Sequence, residues 1–161
     1  MKDKIKWCSK QKKGIFLTTP SQNICDSYLK KANDSLSVMK MCFKVNSQQW
    51  AADTAYYARY QAIYALLQKC GIKCEIHDCS IALIQKFFLE EFGTDMLTEL
   101  ENAKEQRISL VYYVDRTVHS EELTRNVESA PDFVFKVHEI VSNYSKTKIE
   151  KIRNELKNIK K

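Results

Sequence analysis

Glycine and proline are scarce in this sequence of 161 residues, which contains three glycines and two prolines. Proteins made of many short strands need both residues at their turns, so the scarcity argues against a β-sandwich or a β-barrel. The chain has the length of one ordinary domain and is too short for two well-formed hydrophobic cores. We therefore expect one all-α domain.

The sequence also lacks a long hydrophobic run. No segment of about 18 apolar residues occurs, and the basic amino terminus MKDKIKWCSKQKK lacks the apolar stretch of a secretory signal. These absences predict a cytoplasmic protein that does not enter a membrane. Because thiols stay reduced in the cytoplasm, we expect the six cysteines to be free.

The net charge of +6 is concentrated at the two ends of the chain. Residues 1–13 and residues 145–161 each carry a formal net charge of +5, which leaves −4 for the residues between them. Basic ends can contact phosphate groups, but lysine-rich helix ends are more often solvated. We favour the solvated interpretation on this pattern.

Residues suited to helix caps, together with the few glycines, divide the chain into helical segments. The predicted segments are 5–13, 21–45, 47–70, 78–92, 94–116, a weaker polar segment 120–128, and a last helix from 129. The pattern indicates an up-and-down bundle of four to five main helices. Residues 1–20 form a short helix and loop, 21–145 form the bundle, and 146–161 form the lysine-rich, solvated end of the last helix.

The predicted helix 47–70 is apolar around almost its whole circumference. It carries a stripe of alanines, namely Ala51, Ala55, Ala58, Ala62 and Ala65. Large apolar side chains flank this stripe on both sides, namely Tyr56, Tyr57, Tyr60, Ile63, Tyr64, Leu66 and Leu67. A helix of this kind is buried, and its small side chains let another helix approach closely. We expect it to lie at the centre of the bundle.

The segment 52–88, ADTAYYARYQAIYALLQKCGIKCEIHDCSIALIQKFF, resembles the HEPN family. In small prokaryotic members the second helix reads like AYYAxFHAAxALL and is followed by a G-L-x-x-x-x-H turn and a third helix. The matching residues are Ala55, Tyr56, Tyr57, Ala58, Tyr60, Ala62, Ala65, Leu66, Leu67, Gly71, Ile72 and His77. The resemblance extends from about residue 28 to residue 144, which is most of the chain.

The resemblance implies a HEPN-like bundle of four or five helices, a homodimer, and a complex with a minimal nucleotidyltransferase. Some relatives are ribonuclease toxins of toxin–antitoxin systems and carry an Arg-x(4 to 6)-His motif on the fourth helix. Arg107 occupies the arginine position here, in KEQRISLVYYVDR, but positions 111–114 contain no histidine and His119 lies too far along. Gln61 replaces the family's helix-two histidine. Both departures favour a protein without catalytic residues, and we assign no cofactor and no metal.

We therefore expect a non-catalytic module that binds a partner nucleotidyltransferase, a nucleotide or RNA. The alternative is a metal-independent ribonuclease in which Arg107 stabilises the scissile phosphate and a tyrosine replaces the histidine. A phenol with an ordinary pKa of about 10 is a poor base at neutral pH, which disfavours the alternative. His119 and His138 have no recognisable partner in the sequence and support no catalytic dyad.

Two arginines on apolar helix faces are the main candidates for binding. Arg107 needs a partner, because burying an unpaired guanidinium costs several kcal/mol. It binds phosphate in a cleft, pairs with a carboxylate such as Asp53, or extends its charged end to solvent along the helix surface. Arg59, Tyr56 and Tyr57 form a candidate patch for binding a base, although aromatic residues at helical spacing usually belong to the core.

Tyr112 and Tyr113 are further candidates for nucleotide or RNA binding. In some HEPN toxins a tyrosine just beyond the motif histidine is modified by the nucleotidyltransferase. That frame would require a histidine at position 112 and a tyrosine at position 114, where this chain has Tyr112 and Val114. The motif therefore does not predict modification here.

A dense group of soft metal ligands, C-x3-C-x2-H-x-C, is formed by Cys70, Cys74, His77 and Cys79. Zinc prefers these ligand types, but its structural sites usually combine two separate pairs, whereas all four residues lie at one predicted turn. A zinc-stabilised structural protein is thus a third interpretation. The resemblance instead assigns His77 to a turn that orients the next helix.

The stripe that carries Arg107 also contains Leu100, Ala103, Leu110 and Val114. We expect a second subunit to cover this stripe. Two copies of Arg107 would then lie at the floor of one cleft that attracts anions.

Overall fold

The computed structural model of the chain describes residues 2–115 and 119–160. Within these residues it contains the helices α1 (Lys2–Lys10), α2 (Gln22–Lys44), α3 (Gln48–Lys69), α4 (His77–Phe87), α5 (Leu89–Tyr112), α6 (Ser120–Asn143) and α7 (Lys146–Lys160), and the strands β1 (Phe16–Leu17) and β2 (Ile72–Lys73). The expected all-α bundle is confirmed, with seven helices in this part of the chain rather than four to five. None of these helices has both the length and the apolar composition needed to cross a membrane.

Helix α3 lies at the centre of the bundle, as its apolar circumference predicts. Of its 22 residues, 14 are buried. It packs against α2, α5 and α6, and its contact with α2 is the most extensive in the fold. The alanine stripe leaves room for these neighbours.

Several helix boundaries fall where the sequence predicts them. The Oγ of Ser21 accepts a hydrogen bond from the Ile24 N–H and caps α2, whereas Ser47 precedes α3 without a capping hydrogen bond. Gly71 follows α3 with φ of 65°, and Gly93 interrupts α5 with φ of 67°. This left-handed backbone favours glycine because it has no Cβ. Residue 116, the predicted end of the fourth helix, lies outside the described residues.

Helix α6 is continuous, whereas the sequence predicts a weak polar segment and a new helix from Ser129. That prediction is wrong because the polar half of α6 also has an apolar side, on which Leu123 and Val127 pack against α2 and α3. Pro131 lies inside the helix. The loss of one backbone donor at Pro131 is offset by the packing on both sides of it.

Helix α7 is a separate helix that folds back onto the bundle, so the predicted solvated end of the preceding helix is also wrong. Lys146, Lys148, Lys151 and Lys157 are exposed, while Ile152 and Leu156 are buried. Nη1 of Arg153 donates hydrogen bonds of 2.8, 2.9 and 2.9 Å to the carbonyl oxygens of Thr18, Cys70 and Gly71, respectively. The last helix is therefore fixed to the turn that follows α3.

A disulfide joins Cys8 of α1 to Cys79 of α4, whose Cα atoms lie 5.8 Å apart. The expectation of six free thiols is wrong for this pair. The two cysteines are 71 residues apart in the sequence, and only the packing of α1 on α4 brings them together. The free cysteines are Cys25, Cys42, Cys70 and Cys74.

Helix α1 packs against α7 as well as against α4. The two basic ends of the chain, which are far apart in the sequence, thus lie side by side in the fold.

Candidate functional site

Arg107 is paired with a carboxylate across the interface between α3 and α5. Its Nε donates a hydrogen bond of 2.6 Å to Oδ1 of Asp53, and 15% of each side chain is exposed. The two helices run antiparallel, since Asp53 faces Arg107 and Arg59, further along α3, faces Glu99. The carboxylate that the sequence offers as a partner for Arg107 is the one that binds it.

Three tyrosine rings surround the guanidinium of Arg107. Its Cζ lies 5.5 Å from the ring centroid of Tyr56, 5.1 Å from that of Tyr57 and 5.3 Å from that of Tyr112. Its Nη2 donates to the hydroxyl of Tyr112 at 3.1 Å and lies 3.5 Å from the hydroxyl of Tyr57. Cations over aromatic faces are attracted by the ring quadrupole, so the rings hold the guanidinium in place.

One edge of the Arg107 guanidinium is left for a ligand. Within residues 2–115 and 119–160, Nη1 has no hydrogen-bond acceptor, and it is not a buried unpaired atom. Burial alone would lower the pKa of Arg107, but the hydrogen bonds that it donates to Asp53 and Tyr112 outweigh burial and raise the pKa. The group is therefore a permanent cation whose Nη1 has no acceptor among the described residues.

His77, the first residue of α4, lies against the same tyrosines. Its Nδ1 is 2.8 Å from the hydroxyl oxygen of Tyr56, and its ring stacks on Tyr60 with centroids 3.8 Å apart. Burial, followed by the positive charge of Arg107, lowers the pKa of His77. The imidazole is thus neutral at pH 7.

The hydrogen bond between Tyr56 and His77 has a preferred direction. Tyr56 is fully buried, burial raises the pKa of its phenol, and this is the hydrogen bond that its hydroxyl makes in the structure. A buried O–H needs an acceptor, so Tyr56 donates to Nδ1. The proton of the neutral imidazole then resides on Nε2, which makes that nitrogen the hydrogen-bond donor of the ring.

Lys104 and Asp78 extend this polar group along α5 and α4. Lys104 donates to Oδ1 of Asp78, and this bond holds the pKa of Asp78 below its usual range. We call Arg107, Asp53, Tyr56, Tyr57, Tyr112 and His77 the Arg107 cluster. Lys104 and Asp78 lie on the side of this cluster toward α1, because Asp78 directly precedes Cys79, which is bonded to Cys8 of α1.

Arg59 is not part of the Arg107 cluster, although the sequence groups it with Tyr56 and Tyr57. It is fully buried, and its donors are used inside the bundle. The acceptors are Glu99 Oε1, the carbonyl oxygens of Ala55 and Asn126, and Ser129 Oγ. Arg59 joins α3 to α5 and α6 and is closed to a ligand in this structure.

The five candidate residues other than Arg59 differ in accessibility. Tyr112 and Tyr113 are exposed, Tyr57 is half-buried beside Arg107, and Tyr56 is buried beneath it. Arg107, Tyr56, Tyr57 and Tyr112 are brought together by the fold, with Tyr57 and Tyr112 as the rings that a ligand can reach. Tyr113 follows Tyr112 at the end of α5 and is 42% exposed.

The stripe assigned to a second subunit is mostly covered within one chain. Leu100 and Ala103 are buried in the core, and Leu110 packs against the cluster formed by α2, α3 and α6. Val114 alone on the stripe is fully exposed. The prediction that a partner covers the whole stripe is therefore wrong, because α3 and α6 occupy that space.

The cysteines near His77 are not arranged as a ligand set. Cys79 is bonded to Cys8, Cys74 donates through Sγ to the carbonyl of Ile76, and Cys70 is buried. No group of three or more His, Cys, Asp or Glu residues that could hold a metal ion occurs in the part of the chain that the structure describes. His119 precedes α6 at the surface, and Nε2 of His138 lies 3.5 Å from Nδ2 of Asn33 on α2.

Sequence reasoning missed His77 as a member of the Arg107 cluster. The family motif places its histidine a few residues beyond the arginine, on the same helix. In this fold the nearby histidine is instead His77, which comes from α4. A signal was available, since His77 follows Tyr56, Tyr57 and Tyr60 by about 20 residues, which is the length of a helix and its return. The tilt that stacks the imidazole on Tyr60 could not be obtained from spacing.

Comparison with protein-family models and with curated proteins finds no match to this chain. The resemblance to the HEPN family therefore rests on the sequence motifs alone and stays an expectation.

Proposed function

We propose that this chain is a non-catalytic helical module that binds a nucleotide or RNA at the Arg107 cluster. The observation that carries the proposal is that Nη1 of Arg107 has no acceptor among the described residues, while Asp53, Tyr57 and Tyr112 hold the rest of the guanidinium. A cation held rigidly loses little entropy when it binds an anion. The Nη1 donor suits a phosphate oxygen.

The aromatic residues add a second kind of contact to this proposal. Tyr57 and Tyr112 flank Arg107 and are accessible, so an unpaired base could stack on one of them while its phosphate binds Nη1. Stacking of a base on an aromatic side chain contributes about 1–3 kcal/mol. The Nε2–H of His77 would offer a further neutral donor.

Titration calorimetry with adenosine and uridine nucleotides tests this proposal. Arg107→Ala removes the cation, and we expect affinity to fall by about tenfold or more, since a hydrogen bond to a charged group contributes about 1.5–3 kcal/mol. Arg125→Ala is the matched control, because Arg125 is an exposed arginine on α6 outside the Arg107 cluster. Equal losses in the two variants, or no binding by the unmodified chain, would contradict the proposal.

The protein partners follow from the resemblance and form a separate part of the proposal. A minimal nucleotidyltransferase and a second copy of the chain are the expected partners, in a setting of the toxin–antitoxin type. Pull-down at native expression level, followed by mass spectrometry and sedimentation of the purified complex, tests both. Recovery of a monomer without a nucleotidyltransferase would remove this part and leave nucleotide binding untouched.

A metal-independent ribonuclease is the second candidate, because His77 and Arg107 both contact Tyr56: His77 through the phenol hydroxyl and Arg107 over the ring. A base at Nε2 would take the proton of a ribose 2′-hydroxyl, whose oxygen attacks phosphorus and releases the 5′-oxygen as a cyclic phosphate forms. The Tyr56–His77 bond opposes this role, since it leaves the proton on Nε2. A tyrosine could also replace histidine as the base, as the sequence alone allows. Burial disfavours this role for Tyr56, because it raises the pKa of the phenol.

Incubation of mixed RNA with the protein in EDTA separates the two candidates. The binding proposal expects no cleavage. Cleavage that is lost in both Arg107→Ala and His77→Gln, but kept in His138→Gln, would establish the ribonuclease instead.

A further inference from the structure

The two basic ends of the chain form one surface in the folded protein. Each end carries a formal net charge of +5, against −4 for the rest of the chain. In the sequence they are separated by more than a hundred residues, and an interpretation as two solvated helix ends is reasonable. In the fold, α1 packs against α7, so that their charges combine on one side of the bundle. We call this side the α1/α7 surface.

Many of the cations on the α1/α7 surface have no acidic partner. Lys4, Lys6 and Lys10 on α1 are exposed, as are Lys146, Lys151 and Lys157 on α7. Among the described side chains none of these six forms an ion pair, whereas other lysines do. Trp7 is 54% exposed between Lys6 and Lys10. Unpaired lysines around an exposed aromatic ring are typical of surfaces that bind single-stranded nucleic acid.

The α1/α7 surface is continuous with the Arg107 cluster. The disulfide from Cys8 to Cys79 holds α1 against α4. Asp78 directly precedes Cys79 and forms a salt bridge with Lys104 of α5. The charge of Lys4 on α1 also lowers the pKa of Asp78. His77 of the Arg107 cluster comes next along α4. Basic side chains therefore connect the Arg107 cluster, through Lys104 and Lys4, to the α1/α7 surface.

The groove between α5 and α6 has the opposite character. It has a volume of about 800 Å³ and is lined by Asp95, Glu99, Glu105 and Glu122, with Arg125 as its basic residue. A polyanion would be repelled from this groove and attracted to the α1/α7 surface. The charges of the molecule thus favour one path for a negatively charged strand.

We infer that the α1/α7 surface binds the phosphate backbone of a single-stranded polynucleotide, one nucleotide of which occupies the Arg107 cluster. This inference rests on the proposed function and adds that the ligand is a strand rather than a mononucleotide. A single strand is required because Tyr57 and Tyr112 can stack only on unpaired bases. The phosphates beyond the Arg107 cluster would be bound by lysines, without selection for sequence.

Fluorescence anisotropy with labelled strands of about 20 nucleotides tests the inference, because a binding site of this kind covers up to about 16 nucleotides. RNA and DNA strands of the same sequence form two arms, and a duplex and a mononucleotide form two more. The variant Lys6→Glu, Lys146→Glu and Lys151→Glu reverses three unpaired cations of the α1/α7 surface. We expect it to weaken strand binding by at least about tenfold and to reduce the slope of log affinity against log salt by about 2. Its affinity for the mononucleotide should not change.

A matched control has the same change in net charge at other exposed lysines. Lys30, Lys40 and Lys136 lie on α2 and α6, are exposed, and form no ion pair with any described side chain. Reversal of these three to Glu should keep strand binding. Circular dichroism of both triple variants confirms that they fold.

The outcomes separate this inference from the proposed function. Mononucleotide binding without tighter strand binding, an equal loss in the control, or equal affinity for the duplex overturns the inference and leaves the proposed function standing. Strand binding that is lost in the surface variant but unaffected by Arg107→Ala overturns the proposed function. Binding to phosphatidylserine vesicles, lost in the surface variant and without any strand binding, would show that the α1/α7 surface binds a membrane instead.

Discussion

The hydroxyl oxygen of Tyr56 lies 2.8 Å from Nδ1 of His77, although 21 residues separate them in the chain. This contact connects the central helix α3 to the start of α4 beneath Arg107. It also fixes the tautomer of the imidazole, because the buried phenol must donate its proton. The histidine that the Arg107 motif lacks in sequence is thus present in space, in a form suited to donating a hydrogen bond.

Tyr56→Phe removes the donor to Nδ1, and we expect the pKa of His77 to rise. The hydrogen bond stabilises the neutral imidazole, so its loss favours protonation. Titration of the His77 ring resonances by nuclear magnetic resonance measures the change. Tyr112→Phe is the control, since among the described residues the hydrogen bond of Tyr112 goes to Arg107 rather than to His77. An unchanged pKa in Tyr56→Phe would mean that the imidazole donates the bond instead.

Acid should destabilise the fold through His77. Burial and Arg107 lower its pKa in the folded state, so the unfolded chain binds a proton more readily. The free energy of unfolding therefore decreases as the pH falls below about 6.5, the ordinary pKa of histidine, and the loss is complete below the folded-state pKa. Urea unfolding at a series of pH values measures it. His77→Gln should make the free energy of unfolding less dependent on pH in this range. If the pH dependence is the same in this variant, it does not arise from His77.

Glu99→Ala should reduce the free energy of unfolding by about 3 kcal/mol, because it leaves the buried guanidinium of Arg59 without its carboxylate. Urea unfolding measures the loss. Glu105→Ala, an exposed change on the same helix, should stay within about 0.5 kcal/mol of the unmodified chain. Nucleotide binding should persist in both variants, since Arg59 lies outside the Arg107 cluster. Loss of binding in Glu99→Ala with an intact fold would return Arg59 to the site.

Reduction of the Cys8–Cys79 disulfide should lower the free energy of unfolding by about 3 kcal/mol, because the unfolded chain gains conformational freedom. Thermal unfolding with and without a phosphine reductant measures this effect. The Cys8→Ser variant should not respond to the reductant. In denaturant without reductant, a thiol reagent should label the four free cysteines. Labelling of all six would show that the bond does not form.

The helix class and most helix boundaries could be predicted because their causes are local. Ser21, Gly71 and Gly93 act through caps and backbone conformation, which depend on neighbouring residues. The central place of α3 could be predicted as well, since its apolar circumference is a property of the helix alone. A carboxylate such as Asp53 was one of the alternatives that the sequence left open for Arg107, and the structure shows this pair.

The errors have two sources: one is a local pattern that was misinterpreted, and the other is contacts between distant parts of the chain. The lysine-rich composition of α7 favoured a solvated end, but the sequence also contains an apolar stripe at helical spacing, formed by Ile149, Ile152, Leu156 and Ile159. Ser145 precedes this stripe, and its Oγ caps the helix. This signal was present in the sequence. By contrast, the pairing of Cys8 with Cys79 and the approach of α1 to α7 depend on tertiary packing alone. The packing of α4 on α3 likewise places His77 against Tyr56, whose ring also contacts Arg107.

The bond between Cys8 and Cys79 closes a covalent ring that contains the whole of α2 and α3. One cut in the backbone of this ring leaves a single molecule, and a fragment is released only by a second cut or by reduction. The hairpin of α2 and α3 carries Asp53, Tyr56 and Tyr57, and it is attached through both of its ends to the disulfide. A nicked chain would thus keep these three side chains linked to α4 and to His77, and the nick would become visible on a gel only after the disulfide is reduced.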